Sequence, residues 1–252
     1  MLSKNDIKNI KSLEQKKFRE EKRLFVAEGH KLVGELLGVF ECTIVVATQE
    51  WINSRKRIPA ERIETVTADE LKRTSLLRSP QDVLAVFRIP AVSKTMQSAA
   101  SDNLVLALDD IQDPGNLGTI VRIADWFGIR EIFCSKGTAD IYNPKAVQAT
   151  MGAMARVKLH YTDLEKEISA LKDNIPVYGT FLDGETIYET ELSANGVIIM
   201  GNEGNGISDR IRKCVSRKLY IPNWPAGAVT SESLNVAIAT AIVCSEFRRR
   251  QN

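Results

Sequence analysis

The stretch Val197-Ile-Ile-Met-Gly-Asn-Glu-Gly-Asn-Gly-Ile-Ser208 decides how the chain is read. Four apolar residues end on Gly201, and Gly204 and Gly206 follow within five positions. Such a run bounded by glycines reads as a buried strand entering a tight turn. Its spacing is GxxGxG, not the GxGxxG of a dinucleotide-binding turn, and the chain has no GxxxxGK[ST] phosphate loop. Glu203, in the middle, would repel a phosphate. The loop suits a neutral or cationic ligand approached by backbone. The alternative is a plain turn whose glutamate caps a backbone amine or pairs with an arginine.

Outward from this stretch, strands and helices alternate from residue 103 on. Strand patterns fall at 103–109, 131–135, 156–161, 177–182, 196–201 and 218–222, with helical patterns at 117–128, 143–155, 163–173 and 208–216. Strands this apolar predict a mostly parallel sheet covered on both faces. The last segment, 233–250, is helical and apolar nearly all round, so it calls for burial in a core or an interface. Its basic end, Arg248–Arg250, suits the negative end of a helix dipole. Residues 1–90 form a separate α/β pattern: one charged helix over 3–22, strands in LFVAEG, CTIVVATQEW and DVLAVFRIP, and a helix opened by Asp69. Residues 91–102, small and polar, read as a linker, leaving 103–252 as the second domain.

Composition narrows the class. The 252 residues are 44% hydrophobic and 26% charged, which suits a soluble protein with a real core. No apolar run reaches the roughly 18 residues of a membrane span, and the charged N-terminus is unlike a secretory leader. Cys42, Cys134, Cys214 and Cys244 are far apart, so neither a disulfide framework nor a metal site is expected. A cytoplasmic location follows. Net charge is +2, but the first 90 residues carry 17 Lys+Arg against 13 Asp+Glu. Lys4, Lys8, Lys11, Lys16, Lys17, Arg19, Lys22 and Arg23 form a patch suited to a polyanion such as RNA or, equally, a solvated helix face.

Ligands of open α/β sheets sit at the carboxyl ends of strands, and three loops there are unusual. In the first, Asp113-Pro114-Gly115 is a turn, Asn116 a candidate helix cap, and Thr119, Arg122 and Trp126 share a helix face. The second is the opening stretch. In the third, IPNWPAGAVTSESLNVAIA, Pro222 and Pro225 stiffen the backbone and Ser231 or Ser233 can cap the final helix.

Taken together, NLGTIVRIA, IIMGNEGNGIS and IPNWPAGAVTSESLNVAIA resemble the three motifs of the SpoU, or TrmH-like, family of RNA ribose 2′-O-methyltransferases, over about residues 103–250. The N-terminal part resembles the substrate-binding domain many members carry. The resemblance implies a SPOUT α/β knot, with a C-terminal trefoil knot in a six-stranded sheet, a homodimer, and S-adenosylmethionine as methyl donor. No general topology rule would have led to a knot. Carried over by motif, cofactor contacts fall at Thr180, Gly201, Ile221 and Leu234. Arg122 is the implied catalytic residue, with Asn116, Glu203, Ser233 and Asn235 around it. Neither His30 nor His160 lies in a motif, so a histidine base is not expected. The expected partner is ribosomal RNA, with transfer RNA as the alternative. A nicotinamide oxidoreductase is disfavoured by the missing fingerprint, and a decayed, purely RNA-binding domain by the intact motif residues.

Overall fold

The computed structural model describes residues 2–91, 94–225, 231 and 233–251. The chain forms two compact units: Met1–Ala91 with Asp140–Ala155, and Val92–Ala139 with Arg156–Asn252.

The first unit opens with two helices, α1 (Lys4–Ser12) and α2 (Lys16–Lys22), rather than one. Arg19 explains the break. It is only 2% exposed, and its guanidinium donates to the carbonyls of Leu13 and Glu14 at 2.8 and 2.7 Å, fixing the turn between the helices. Arg19 therefore leaves the basic surface patch. Then come β1 (Leu24–Glu28), α3 (His30–Leu36), β2 (Cys42–Ala47), α4 (Gln49–Asn53), β3 (Ile63–Thr65), α5 (Ala68–Thr74) and β4 (Val83–Arg88). Their sheet has the order β1-β4-β2-β3. Thr67, not Asp69, caps α5, in a reciprocal box with Glu70. The short strand β3, exposed at its first and last residues, carries no alternation long enough to read in sequence.

The second unit contains α6 (Met96–Ala100), β5 (Leu104–Asp109), α7 (Pro114–Trp126), β6 (Glu131–Ser135), β7 (Lys158–Thr162), α9 (Leu164–Ser169), β8 (Val177–Thr186), β9 (Gly196–Gly201), α10 (Asp209–Arg212), β10 (Arg217–Tyr220) and α11 (Val236–Arg249); α8 (Pro144–Thr150) lies in the first unit. The sheet order is β10-β8-β9-β5-β6-β7, with every pairing parallel. β5 and β9 sit side by side at the centre, each residue of one in register with the other, because both are apolar along their length. Residues 226–230 and 232 of the third loop lie outside the described residues, and with them part of the path on which the expected trefoil knot depends.

Two boundaries differ from the sequence reading. The expected linker contains α6, capped by Thr95, whose Met96, Ala99 and Ala100 are buried in the core of the second unit. The segment 140–155, expected in the second domain, packs in the first. Tyr142 lies against Phe25 at 4.9 Å, Asp140 pairs with Arg19 at 2.7 Å, and Gln148 donates to the Glu28 carbonyl at 2.8 Å. Local periodicity cannot reveal long-range pairing of this kind.

Candidate active site

Strands β5 and β9 end together, with Asp109 opposite Gly201. Asp109 is buried, and its carboxylate accepts from the Ser208 amide at 2.8 Å, which ties down the far end of the 201–208 loop. Asp110 follows in the left-handed region at φ 62°, a conformation that an aspartate tolerates better than most residues. Its carbonyl accepts from Asn202 Nδ2 at 2.7 Å.

The glycines of the loop serve its closure. The Asn202 and Gly206 backbones exchange two hydrogen bonds of 2.9 Å, and Asn202 Oδ1 accepts from the Gly204 and Asn205 amides. A Cβ on Gly201 would stand 2.3 Å from the backbone of Gly206 and Ile207, so the returning chain already fills that space. Gly206 adopts φ 68°. The loop thus presents Glu203, half-buried, to the start of α7.

At that start Asp113, not Asn116, is the cap, accepting from the Asn116 amide at 2.8 Å. This frees the Asn116 side chain. Its Nδ2 donates to Glu203 Oε1 at 2.9 Å, and its Oδ1 accepts from Asn235 Nδ2 at 3.1 Å. Asn235, rather than Ser231 or Ser233, caps α11: its Oδ1 accepts from the amides of Ala237 and Ile238 at 3.0 and 3.3 Å. The cap fixes which end of the Asn235 amide faces Asn116. That in turn fixes the Asn116 amide, whose donor end faces the carboxylate. One residue from each sequence motif is joined in a directed chain.

Arg122 stands apart from this chain. It lies six residues further along α7, about 9 Å along the helix axis, with an exposed side chain and no ion-pair or hydrogen-bond partner among the described residues. The carboxylate of Glu203 accepts from Asn116, and no Arg122–Glu203 pair is present among the described residues. Ser233 and Leu234 are exposed just before Asn235. Thr180 lies on β8 and Ile221 directly after the neighbouring strand β10. There the register jumps: Lys218 faces Gly179 but Leu219 faces Glu185, so Thr180–Gly184 bulges out of the ladder. The bulge is held by Asp183, which accepts from Arg212 at 2.6 Å and Lys218 at 2.9 Å. Lys218, and with it Arg212, keeps that carboxyl below its usual range against the effect of burial. The bulge was not visible in the sequence, because VYGTFL reads as one unbroken strand.

Comparison with known proteins fits this geometry. Residues 103–245 match the SpoU rRNA Methylase family, and residues 4–85 match the MRM3-like substrate binding domain. The chain belongs to the SpoU rRNA methylase family. It is 31% identical over 250 residues to the 23S rRNA (guanosine(2553)-2′-O)-methyltransferase RlmP of Bacillus subtilis, covering 96% of this chain and 95% of that one. Its structure is similar to that of a TrmH-family protein from Porphyromonas gingivalis, with TM-score 0.90, 42% identity and 99% of both chains covered. An AdoMet-bound rRNA methyltransferase from Sinorhizobium meliloti matches with TM-score 0.83 and 28% identity, over 100% of this chain and 98% of that one. The fold is that of the SPOUT methyltransferases.

Proposed function

We propose that this protein methylates a ribose 2′-hydroxyl in 23S ribosomal RNA, with S-adenosylmethionine as donor. The observation that carries the reading is the Asn235–Asn116–Glu203 chain, which joins the three family motifs at the carboxyl ends of the central strands. The ribosomal target is favoured over transfer RNA because a relative 31% identical and matched over 95% of its length is named for 23S rRNA.

The residues present fit the donor. The backbone bulge at Thr180, the main chain of Gly201 and Ile221, and the half-exposed Leu234 would hold a ligand with a flat apolar end and a cationic centre. The donor supplies an electrophilic methyl on a sulfonium. The chain's own task is to align the ribose oxygen, and alignment of this kind is worth on the order of 7–11 kcal/mol. Arg122, exposed and unpaired among the described residues, grips the neighbouring phosphate and stabilises the developing alkoxide. A guanidinium stays protonated, so Arg122 acts by charge. Glu203 keeps Oε2 clear of Asn116 and orients the hydroxyl, whose proton leaves to solvent as the oxygen gains the methyl and S-adenosylhomocysteine departs; Asn116 and Asn235 hold that carboxylate still, and Ser233 bonds the sugar. Arg122→Ala should abolish methylation measured by mass spectrometry of ribosomal RNA while S-adenosylhomocysteine still binds. Turnover like wild type would remove Arg122 from the reaction.

RNA engagement by the first unit is supported by its match to a substrate-binding domain and by exposed Lys4, Lys8 and Lys11 on one face of α1. A homodimer is supported by Trp126 on α7 and Ile238 on α11, 86% and 54% exposed on helices that pack together. Sedimentation should show a dimer that Trp126→Glu with Ile238→Glu breaks; a monomeric wild type would refute it. A bacterial-type ribosomal RNA substrate supports a cytoplasmic location.

A further inference from the structure

The basic end of α11 does more than face a helix dipole. Arg248 Nε donates to the Phe127 carbonyl at 2.7 Å, just past the end of α7. At the other end of the same two helices Asn235 bonds Asn116. α7 and α11 therefore run side by side and are fastened at both ends.

Arg250 reaches a different element. Its Nη1 donates to the Thr190 carbonyl at 2.7 Å, and its Nη2 donates to the carbonyls of Ile187 and Tyr188 at 3.0 and 2.5 Å. Glu246, buried in α11, holds the guanidinium in place through Nε at 2.7 Å. The captured segment directly follows β8. Its Ile187 amide donates to the Tyr220 carbonyl at 2.9 Å, one residue before Ile221. Tyr178 of β8 meets Phe247 of α11 edge to face at 4.9 Å, on the same side of the sheet.

We propose that Arg248 and Arg250 are positioning residues that set the two sides of the methyl-transfer site separately. Arg248 sets the axis of the helix that carries Arg122, and so the approach of the ribose. Arg250 sets the β8–β10 side, which carries Thr180 and Ile221, and so the seat of the methyl donor. The inference rests on the function proposed above. It adds a division of labour: one turn of helix, two arginines, two different kinetic effects.

The test uses the full-length protein with Arg248→Ala, Arg250→Ala and the two lysine variants. Calorimetry gives the affinity for S-adenosylhomocysteine, and single-turnover methylation at saturating donor gives the rate. Arg250→Ala should weaken binding about tenfold and leave the saturated rate within about twofold. Arg248→Ala should do the reverse. Arg250→Lys should not rescue binding, because one ammonium cannot span three carbonyls in a fixed fork. Arg248→Lys, whose contact with the end of α7 needs a single donor, should restore the rate. If an alanine variant fails to fold, the lysine pair still decides: equal behaviour of Arg250→Lys and Arg248→Lys overturns the proposal. So do parallel losses of rate and affinity that merely follow the drop in melting temperature, or no change in either. A wild-type protein that neither binds S-adenosylhomocysteine nor methylates RNA would instead refute the functional reading itself.

Discussion

Asn235→Asp separates two jobs that one side chain performs. The wild-type amide caps α11 with its oxygen and donates to Asn116 with its nitrogen. Aspartate keeps the cap, and its charge suits the helix N-terminus. The donor is lost, so an oxygen now faces Asn116 Oδ1 across the former 3.1 Å contact. If Asn116 flips to answer it, its own oxygen faces Glu203 across 2.9 Å. One of the two junctions must hold an unsatisfied or repelling pair. At the half-buried Asn116–Glu203 junction that state costs about 1–3 kcal/mol; at the exposed Asn235–Asn116 contact it costs less, because water can answer the orphaned oxygen. If the misalignment is felt in the transition state, the methylation rate falls roughly 5- to 150-fold. Asn235→Ala loses the chain and the cap together, so it should also lose about 1 kcal/mol of stability, or roughly 2–4 °C in melting temperature for a unit of this size. Thermal melts and single-turnover methylation, run side by side on both variants, make the comparison. A rate for Asn235→Asp within twofold of wild type would refute the directed chain. A melting temperature for Asn235→Asp as low as that of Asn235→Ala would refute the assignment of the cap.

Two further outcomes follow from the loop and the C-terminal helix. Gly201→Ala should cost about 1–3 kcal/mol, because backbone cannot yield to a Cβ as a side-chain tip can; Gly204→Ala, whose Cβ would meet only Asn202 Oδ1 at 3.6 Å, should melt like wild type. Equal melting temperatures for the two variants would contradict loop closure as the reason for Gly201. The Glu246 carboxyl is held down to about 2, first by its bonds to Arg249, against burial, and then by Arg250. A carboxyl depressed in the folded state contributes stability that is full above its unfolded value near 4.5 and is lost as pH falls toward 2. Denaturation curves between pH 5 and pH 2 should therefore be flatter for Glu246→Gln than for wild type, and parallel curves would exclude the effect.

β5, β6 and β9 were legible because each is an apolar run ended by a turn residue, as buried parallel strands are. Motif likeness singled out Asn116, Glu203 and Asn235, which the structure joins. What escaped was everything set by a partner distant in sequence. Asp113 took the cap that Asn116 had been expected to fill, which let Asn116 reach Glu203. Asn235 displaced Ser231 and Ser233 for the same reason: the residue that caps α11 must also reach Asn116. Arg19 read as a surface cation because nothing in KKFREEK reveals Asp140. The bulge at Thr180–Gly184 escaped because the pattern of one strand says nothing of its neighbour's register.

The first unit is not a contiguous stretch of polypeptide, and this bears on how such a fold can be cut or inherited. A fragment ending at residue 90 would strand the Arg19 guanidinium without Asp140, and would leave Phe25 without Tyr142. Grafting this unit onto another enzyme would require two insertions, the second placed between β6 and β7 of the recipient. Recombination at a single breakpoint should therefore yield unstable chimeras, and the two units are expected to pass between genomes as one piece.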